Sequence, residues 1–219
     1  MVSVIVKTQA EFDALPGDFE GSVYIQSPAD TRLYIARRLP RASVVAWGNA
    51  SVEARENASV VAWGNTQVVK RSPKTNIKVH GNARIVTMPF TIEEYCDFYG
   101  VTIKEGQAIL HKAVRPDLAS IHNPEFQYAV RATFKHPCDP NTKVECSTGL
   151  HVAHLQWALD FGRERGRFKI IECAVPLDKI VLPNDTDGKV RTSELTVLRE
   201  VPLEECGLYG KMLAKQFQG

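Results

Sequence analysis

The sequence predicts a β-solenoid, a single-stranded parallel β-helix-like coil on an eight-residue repeat, followed by an α+β domain. Three observations predict it. Octads that align on Gly-Asn run from about residue 42 to 86, and two of them are identical. Within each octad, apolar residues alternate with period two. After Met88-Pro89 the repetition stops, and strand-like segments mix irregularly with capped helices.

The octads read ASVVAWGN (42–49), ASVEAREN (50–57), ASVVAWGN (58–65) and TQVVKRSP (66–73). One extra residue, Lys74, precedes TNIKVHGN (75–82) and ARIVTMP. Ala42, Val44, Ala46, Ala50, Val52, Ala54, Ala58, Val60 and Ala62 share one face of their strands. Ser43, Val45, Trp47, Ser51, Glu53, Arg55, Ser59, Val61 and Trp63 share the other. A helix would need a period of 3.6, which these octads lack. Gly-Asn turns the chain because both residues tolerate a positive φ. Two octads make one flat two-sided coil, and the small inner alanines leave a thin core.

Upstream, Val23 and Ile25, then Leu33 and Ile35, read as earlier rungs with longer turns, and VSVIV as a first strand. Thr8-Gln9-Ala10-Glu11 is a capping box that opens a short helix to about Leu15, stopped by Pro16-Gly17. A solenoid end exposes core and strand edges, so this helix is the expected cap. Trp47 and Trp63, sixteen residues apart on the outer face, are expected to stack as an aromatic ladder and to serve as interaction residues.

The second domain is expected over 89–207, after a solenoid of 1–88 and before a loosely attached polar tail, 208–219. Thr91-Ile92-Glu93-Glu94 opens a helix at 92–99, and Gly100 sits at its C′ position. Strands are expected near 107–114, 125–134, 143–148, 168–175, 179–183 and 189–201. A helix is expected from HVAHLQWALDFGRERG, with Val152, Leu155, Ala158 and Leu159 on one face.

Cys146 to Val152, Val175-Pro176-Leu177-Asp178, Pro183-x-Asp185 and Lys189-Val190-Arg191 resemble a C-terminal module that follows solenoid or pentapeptide-type repeats in bacteriophage proteins. The repeat A-x-V-x-A-x-G-N resembles repeats of actinobacterial phages. The resemblance implies a non-catalytic scaffold or protein-interaction role, with a protein partner or self-assembly into a homo-oligomer, in the host cytoplasm if phage-encoded.

A second resemblance concerns chemistry. His111 in a strand, Ser147-Thr148-Gly149 between a strand and a helix, and Glu194 on a late strand are similar in outline to an ADP-ribosyltransferase fold. That resemblance implies NAD as cofactor and His111, Ser147 and Glu194 as catalytic residues. A carboxylate there would stabilise an oxocarbenium-like transition state. Only one glutamate stands near the expected place, and the bland alternative is a satisfied strand histidine, a turn with an N-cap and a solvated glutamate.

His136, Cys138, Cys146, His151 and His154 offer zinc-type ligands, but Cys-x7-Cys-x4-His-x2-His lacks the paired short spacing of structural zinc sites. Cys146 with His151 or His154 is a weaker nucleophile pair, without an evident orienting acid. No phosphate loop or dinucleotide glycine motif is present.

Composition narrows the classes. The net charge of +2 gives no electrostatic case for nucleic acid. No stretch approaches the roughly 18 apolar residues that span a bilayer, and the first residues lack a signal-peptide core. Five cysteines without framework spacing point to reduced thiols. The expectation is a soluble, cytoplasmic protein with no membrane partner.

Overall fold

Alternation over four or five residues between turns gives short strands whose small inner side chains suit stacking into coils. The computed structural model describes residues 2–37, 39–184 and 186–217. Two compact units result, Met1–Phe90 and Thr91–Gly219.

The first unit is a β-solenoid. Its strands are β1 (Ser3–Val6), β2 (Gly21–Ile25), β3 (Arg32–Ile35), β4 (Ala42–Ala46), β5 (Ser51–Ala54), β6 (Ser59–Ala62), β7 (Gln67–Lys70), β8 (Asn76–Val79) and β9 (Arg84–Thr87). They form two parallel sheets, β1-β2-β4-β6-β8 and β3-β5-β7-β9, so the chain crosses from one sheet to the other along its length. Val45 faces Val61, and Ser51 faces Gln67, whereas Gly21 faces Ala42, so the coil is shorter in the middle than at its start. Val44, Val52, Val60 and Val68 are all buried in one core, together with Val23, Ile25, Leu33 and Ile35. Each such side chain contributes about 1.5–3 kcal/mol by leaving water.

The Gly-Asn corners stack. Gly64 has φ +70°, and a Cβ there would lie 3.1 Å from the Gly48 carbonyl oxygen, so glycine serves both the left-handed turn and the close approach. Asn65 Nδ2 donates to Asn49 Oδ1 at 3.2 Å, and Asn82 Nδ2 to Asn65 Oδ1 at 3.4 Å. Helix α1 (Gln9–Asp13) carries the full capping box and buries Phe12 in the solenoid core.

The outer face is less solvated than alternation implies. Ser51 and Glu53 are buried, although period two places them outside. The reason is charge pairing: Arg55, Arg71 and Arg32 approach the Glu53 carboxylate at 2.6, 3.3 and 3.7 Å and cover it.

The second unit begins with α2 (Ile92–Tyr99), which ends at Gly100 in the left-handed conformation, φ +65°. Its strands are β10 (Ile103–Lys104), β11 (Gln107–Val114), β12 (Thr133–Lys135), β13 (Leu150–Ala153), β14 (Lys169–Pro176), β15 (Ile180–Val181), β16 (Lys189–Thr192) and β17 (Glu194–Val201). They build one antiparallel sheet, β12-β17-β14-β11-β13-β16-β15, with β10 attached to β11. One face packs Tyr95 and Tyr128 over Leu110, Val152 and Cys173. The other packs α3 (Leu155–Glu164) and α4 (Gly207–Phe217) over Ala113 and Ile170.

Five sequence expectations are corrected. The helix expected from His151 onward begins only at Leu155, because Leu150–Ala153 pairs with β16 as strand β13, which takes Val152 off the helix. The strand expected at 125–134 shortens to β12, because Phe126, Tyr128 and Phe134 cluster as rings and a backbone turn bonds Ala132 to Ala129. The strand expected at 143–148 is a loop. Its carbonyls are taken by fully buried Arg191, whose guanidinium donates to the carbonyls of Asp139 (2.9 Å), Asn141, Val144 (2.6 Å) and Glu145 (3.4 Å). The expected strand 189–201 breaks at Ser193 into β16 and β17. The tail expected to be loose is helix α4, which buries Gly210, Leu213 and Ala214 and packs Tyr209 and Phe217 on the same cluster. Asp185, part of one matched motif, lies outside the described residues.

Candidate functional site

Antiparallel strands hold together by repeated pairs, so a stretch with few pairs is a gap. Strand β11 pairs with β14 along its whole length, from Gln107↔Pro176 to Val114↔Lys169. On its other side it meets β13 only at His111↔Ala153. Beyond that pair the two strands leave an unbridged opening, and a cavity of about 550 Å³ is lined by His111–Ala113 and His151–Ala153. That volume suits a drug- or nucleotide-sized ligand.

Strands β11 and β13 supply His111, Lys112, Ala113, His151, Val152 and Ala153. Helix α3 and its C-cap supply Trp157, Ala158, Phe161 and Arg165, and loops add His122, Cys146 and Ser147. Lys189, the first residue of β16, completes the lining, which contains no carboxylate.

Spacing on α3 explains its wall. Trp157 and Phe161, one turn apart, stack at 5.1 Å between ring centroids. Arg165 lies 5.2 Å over Phe161, and Lys189 lies 5.6 Å over Trp157. His122 sits 5.4 Å from Phe161. The result is an aromatic pair bracketed by two cations.

Lys112 Nζ donates to the His151 carbonyl at 2.8 Å and so spans the opening. Burial pulls its ammonium down to about 8. Burial, then the neighbouring Lys112, Lys189 and Arg191, pull His151 down to about 4. His122 is lowered by burial and then by Lys112, Arg165 and Lys189. His111 is lowered by burial, against the opposing pull of Glu172. These imidazoles are therefore neutral at pH 7, and His111 Nδ1 and His151 Nε2 are buried without a hydrogen-bond partner.

Of the residues the sequence singled out for chemistry, the structure brings His111 and Ser147 to this cavity and leaves Glu194 out of its lining. Glu194 pairs with Lys135 at 3.0 Å on the neighbouring β12. Register explains the separation: His111 faces Glu172, Glu172 faces Arg199, and Glu194 lies at the other end of β17. The carboxylate beside His111 is Glu172, 3.9 Å from Nε2 and held by Arg199 Nε at 3.2 Å. The Ser147 hydroxyl donates to Asp139 Oδ2 at 2.5 Å, which with the Asn141 amide holds that carboxyl below its usual range.

The metal-type residues disperse. Cys138 contacts the Asp139 carbonyl, and burial raises its thiol. Cys146 meets Lys189 Nζ at 2.8 Å. His154 caps α3 by accepting from the Trp157 amide and stacks on Tyr99 at 4.2 Å. His136 Nδ1 lies 2.8 Å from the Pro137 carbonyl. Among the described residues, no three His, Cys, Asp or Glu side chains converge as a metal site would require.

On the solenoid, Trp47 and Trp63 have ring centroids 6.0 Å apart, and His80 continues the column, stacked on Trp63 at 4.0 Å. Trp47 is 51 % exposed and Trp63 38 %.

Sequence reasoning missed Lys112, His122, Trp157, Phe161, Arg165 and Lys189 as a group. The i, i+4, i+8 spacing of Trp157, Phe161 and Arg165 was the available signal, but Lys112 and Lys189 join only through sheet order. No protein-family model, curated protein or solved structure matches this chain. Among the described residues, no helix is long and apolar enough to cross a membrane.

Proposed function

We propose that the α+β domain binds a small anionic molecule carrying a planar ring, the chemical class that includes NAD-type dinucleotides. The observation that carries this reading is the cavity at the β11–β13 opening, with three cationic side chains, a stacked aromatic pair and no acid in its lining. Lys112, Arg165 and Lys189 suit phosphate or carboxylate oxygens. Trp157 and Phe161 suit a flat heterocycle once a ligand anion draws the cations off their faces. Neutral His111 and His151 supply the buried ring nitrogens that fix orientation.

The ADP-ribosyltransferase-like resemblance fits this binding chemistry in two of its three residues. Glycosyl transfer needs a carboxylate at the reacting carbon, and Glu194 is paired elsewhere. Calorimetric titration with ADP-ribose, NAD and adenosine tests the reading. Both anionic ligands should bind, and adenosine should bind at least about tenfold more weakly, because a charge-assisted hydrogen bond is worth about 1.5–3 kcal/mol. Equal or absent binding of all three would refute it.

A second reading rests on the solenoid. The exposed Trp47–Trp63–His80 column favours the scaffold role that the phage resemblance implies, with a protein partner or a second copy covering the rings. Light scattering of the wild type and of W47S/W63S tests self-assembly. A mass that is monomeric in both would remove the homo-oligomer.

A further inference from the structure

Three features compete for a further role: the solenoid aromatic column, the exposed Leu208 and Met212 on α4, and the thiol at the cavity mouth. Nothing in the structure shows what covers the first two. The thiol has a defined chemical surrounding.

Four of the five cysteines are sheltered. Cys96, Cys173 and Cys206 are buried and Cys138 is half-buried, whereas Cys146 is exposed. Burial pushes Cys96 up to about 11 and Cys173 up to about 12, so neither is a ready nucleophile at pH 7. Cys146 lines the cationic cavity, and Lys189 Nζ stands 2.8 Å from its sulfur. That ammonium is not a freely moving surface charge. Lys189 is the first residue of β16, its side chain is 13 % exposed, and it rests on the Trp157 ring.

The charges around the sulfur are unequal. Lys189 is hydrogen-bonded to the sulfur, and Lys112 and Arg165 line the same cavity. Opposing them are Glu145, the adjacent residue, whose carboxylate lies 3.9 Å from Lys189 Nζ and is 44 % exposed, hence screened by water and salt, and Asp139, whose carboxylate accepts from the Ser147 hydroxyl at 2.5 Å. A cleft lined by one sign of charge concentrates ions of the other sign and raises their encounter rates by about 10–1000-fold.

We infer that Cys146 is a modification site selective for small anionic disulfides, the chemical class to which oxidised glutathione belongs. The Cys146 thiolate attacks one sulfur of the disulfide. A new S–S bond forms to Cys146, the original S–S bond breaks, and the departing glutathione thiolate takes a proton from solvent. No other oxidant is needed. The attached anionic tripeptide then occupies the mouth of the cavity, and a thiol reductant removes it. The site is thus a redox gate on the ligand pocket. The inference rests on reading that pocket as an anion site.

The experiment uses the full chain at low salt and pH 7. It measures second-order rates for a dianionic aromatic disulfide (Ellman's reagent) and for neutral 2-hydroxyethyl disulfide, with the modified residue located by peptide mass. N-acetylcysteinamide serves as the free-thiol reference. The anionic-to-neutral rate ratio at Cys146 should exceed that of the reference by at least about tenfold. It should fall toward the reference in about 1 M salt, where the screening length is about 3 Å. It should drop in K189M and persist in K189R. A ratio equal to the reference, a ratio unmoved by salt, or first modification at another cysteine would each overturn the inference. Should K189M fail to fold, the salt series on the wild type decides alone. ADP-ribose binding without anionic selectivity at Cys146 would sink the thiol inference and leave the pocket reading standing. Loss of both would sink both.

Discussion

Val60 and Val61 are adjacent in β6 and carry the same side chain, yet they answer to opposite surroundings. Val60 is 1 % exposed inside the solenoid, whereas Val61 is half-buried on the outer face. Truncating either to alanine removes the same atoms. For V60A the lost transfer energy is about 1.6 kcal/mol, two carbons at about 0.8 kcal/mol each. The cavity left between two stacked sheets adds up to about 1 kcal/mol where the neighbours do not close on it. The expected cost is therefore about 2–3 kcal/mol for V60A and under about 1 kcal/mol for V61A. Trp47 and Trp63 report on the solenoid once Trp157 is replaced by phenylalanine, so urea unfolding followed by fluorescence in W157F isolates this unit. With a urea dependence of about 1–3 kcal/mol per molar, V60A should lower the midpoint by about 0.7–3 M. Equal losses, or a larger loss for V61A, would mean that the strand faces the other way, since a one-residue slip exchanges the faces.

Two further predictions use the same reasoning. In the W157F background, G64A should cost more than G48A. Both positions have positive φ, for which a Cβ costs about 1–2 kcal/mol, but only at Gly64 does that Cβ meet a backbone oxygen at 3.1 Å; equal costs in urea unfolding would contradict the stacked corners. Affinity for ADP-ribose should be constant near pH 6.5–7 and fall as pH rises through about 8, because burial lowers Lys112 to that value and deprotonation removes its charge. Titration calorimetry across this range checks it, and a wild-type affinity that stays level to pH 9.5, like that expected of K112M, would refute the role of Lys112.

What could be read from the residues divides along the range of the interactions. The solenoid was legible because its signal is local: Val44, Val52 and Val60 recur on one face at eight-residue intervals, and Gly-Asn marks every second corner. The capping boxes at Thr8 and Thr91 were legible for the same reason, since both bonds close within three residues. The burial of Glu53 was not, because Arg32 and Arg71 reach it from neighbouring coils. The loop at 143–148 looked like a strand because its alternation was visible and Arg191, which takes the Val144 and Glu145 carbonyls, lies far along the chain. The candidate site was half legible. His111 and Ser147 stood out as residue types, but the strand order that puts Lys112 beside His151 and moves Glu194 away depends on long-range pairing.

The central claim is that the gap between β11 and β13 is a seat for an anionic ligand. A crystal structure of the full chain grown with saturating ADP-ribose tests it most directly. The account predicts ligand density at the His111–Ala153 bridge, with phosphate oxygens within hydrogen-bonding distance of Lys112 or Lys189 and the base against Trp157 or Phe161. Ligand bound at another place while that opening holds only water would contradict it.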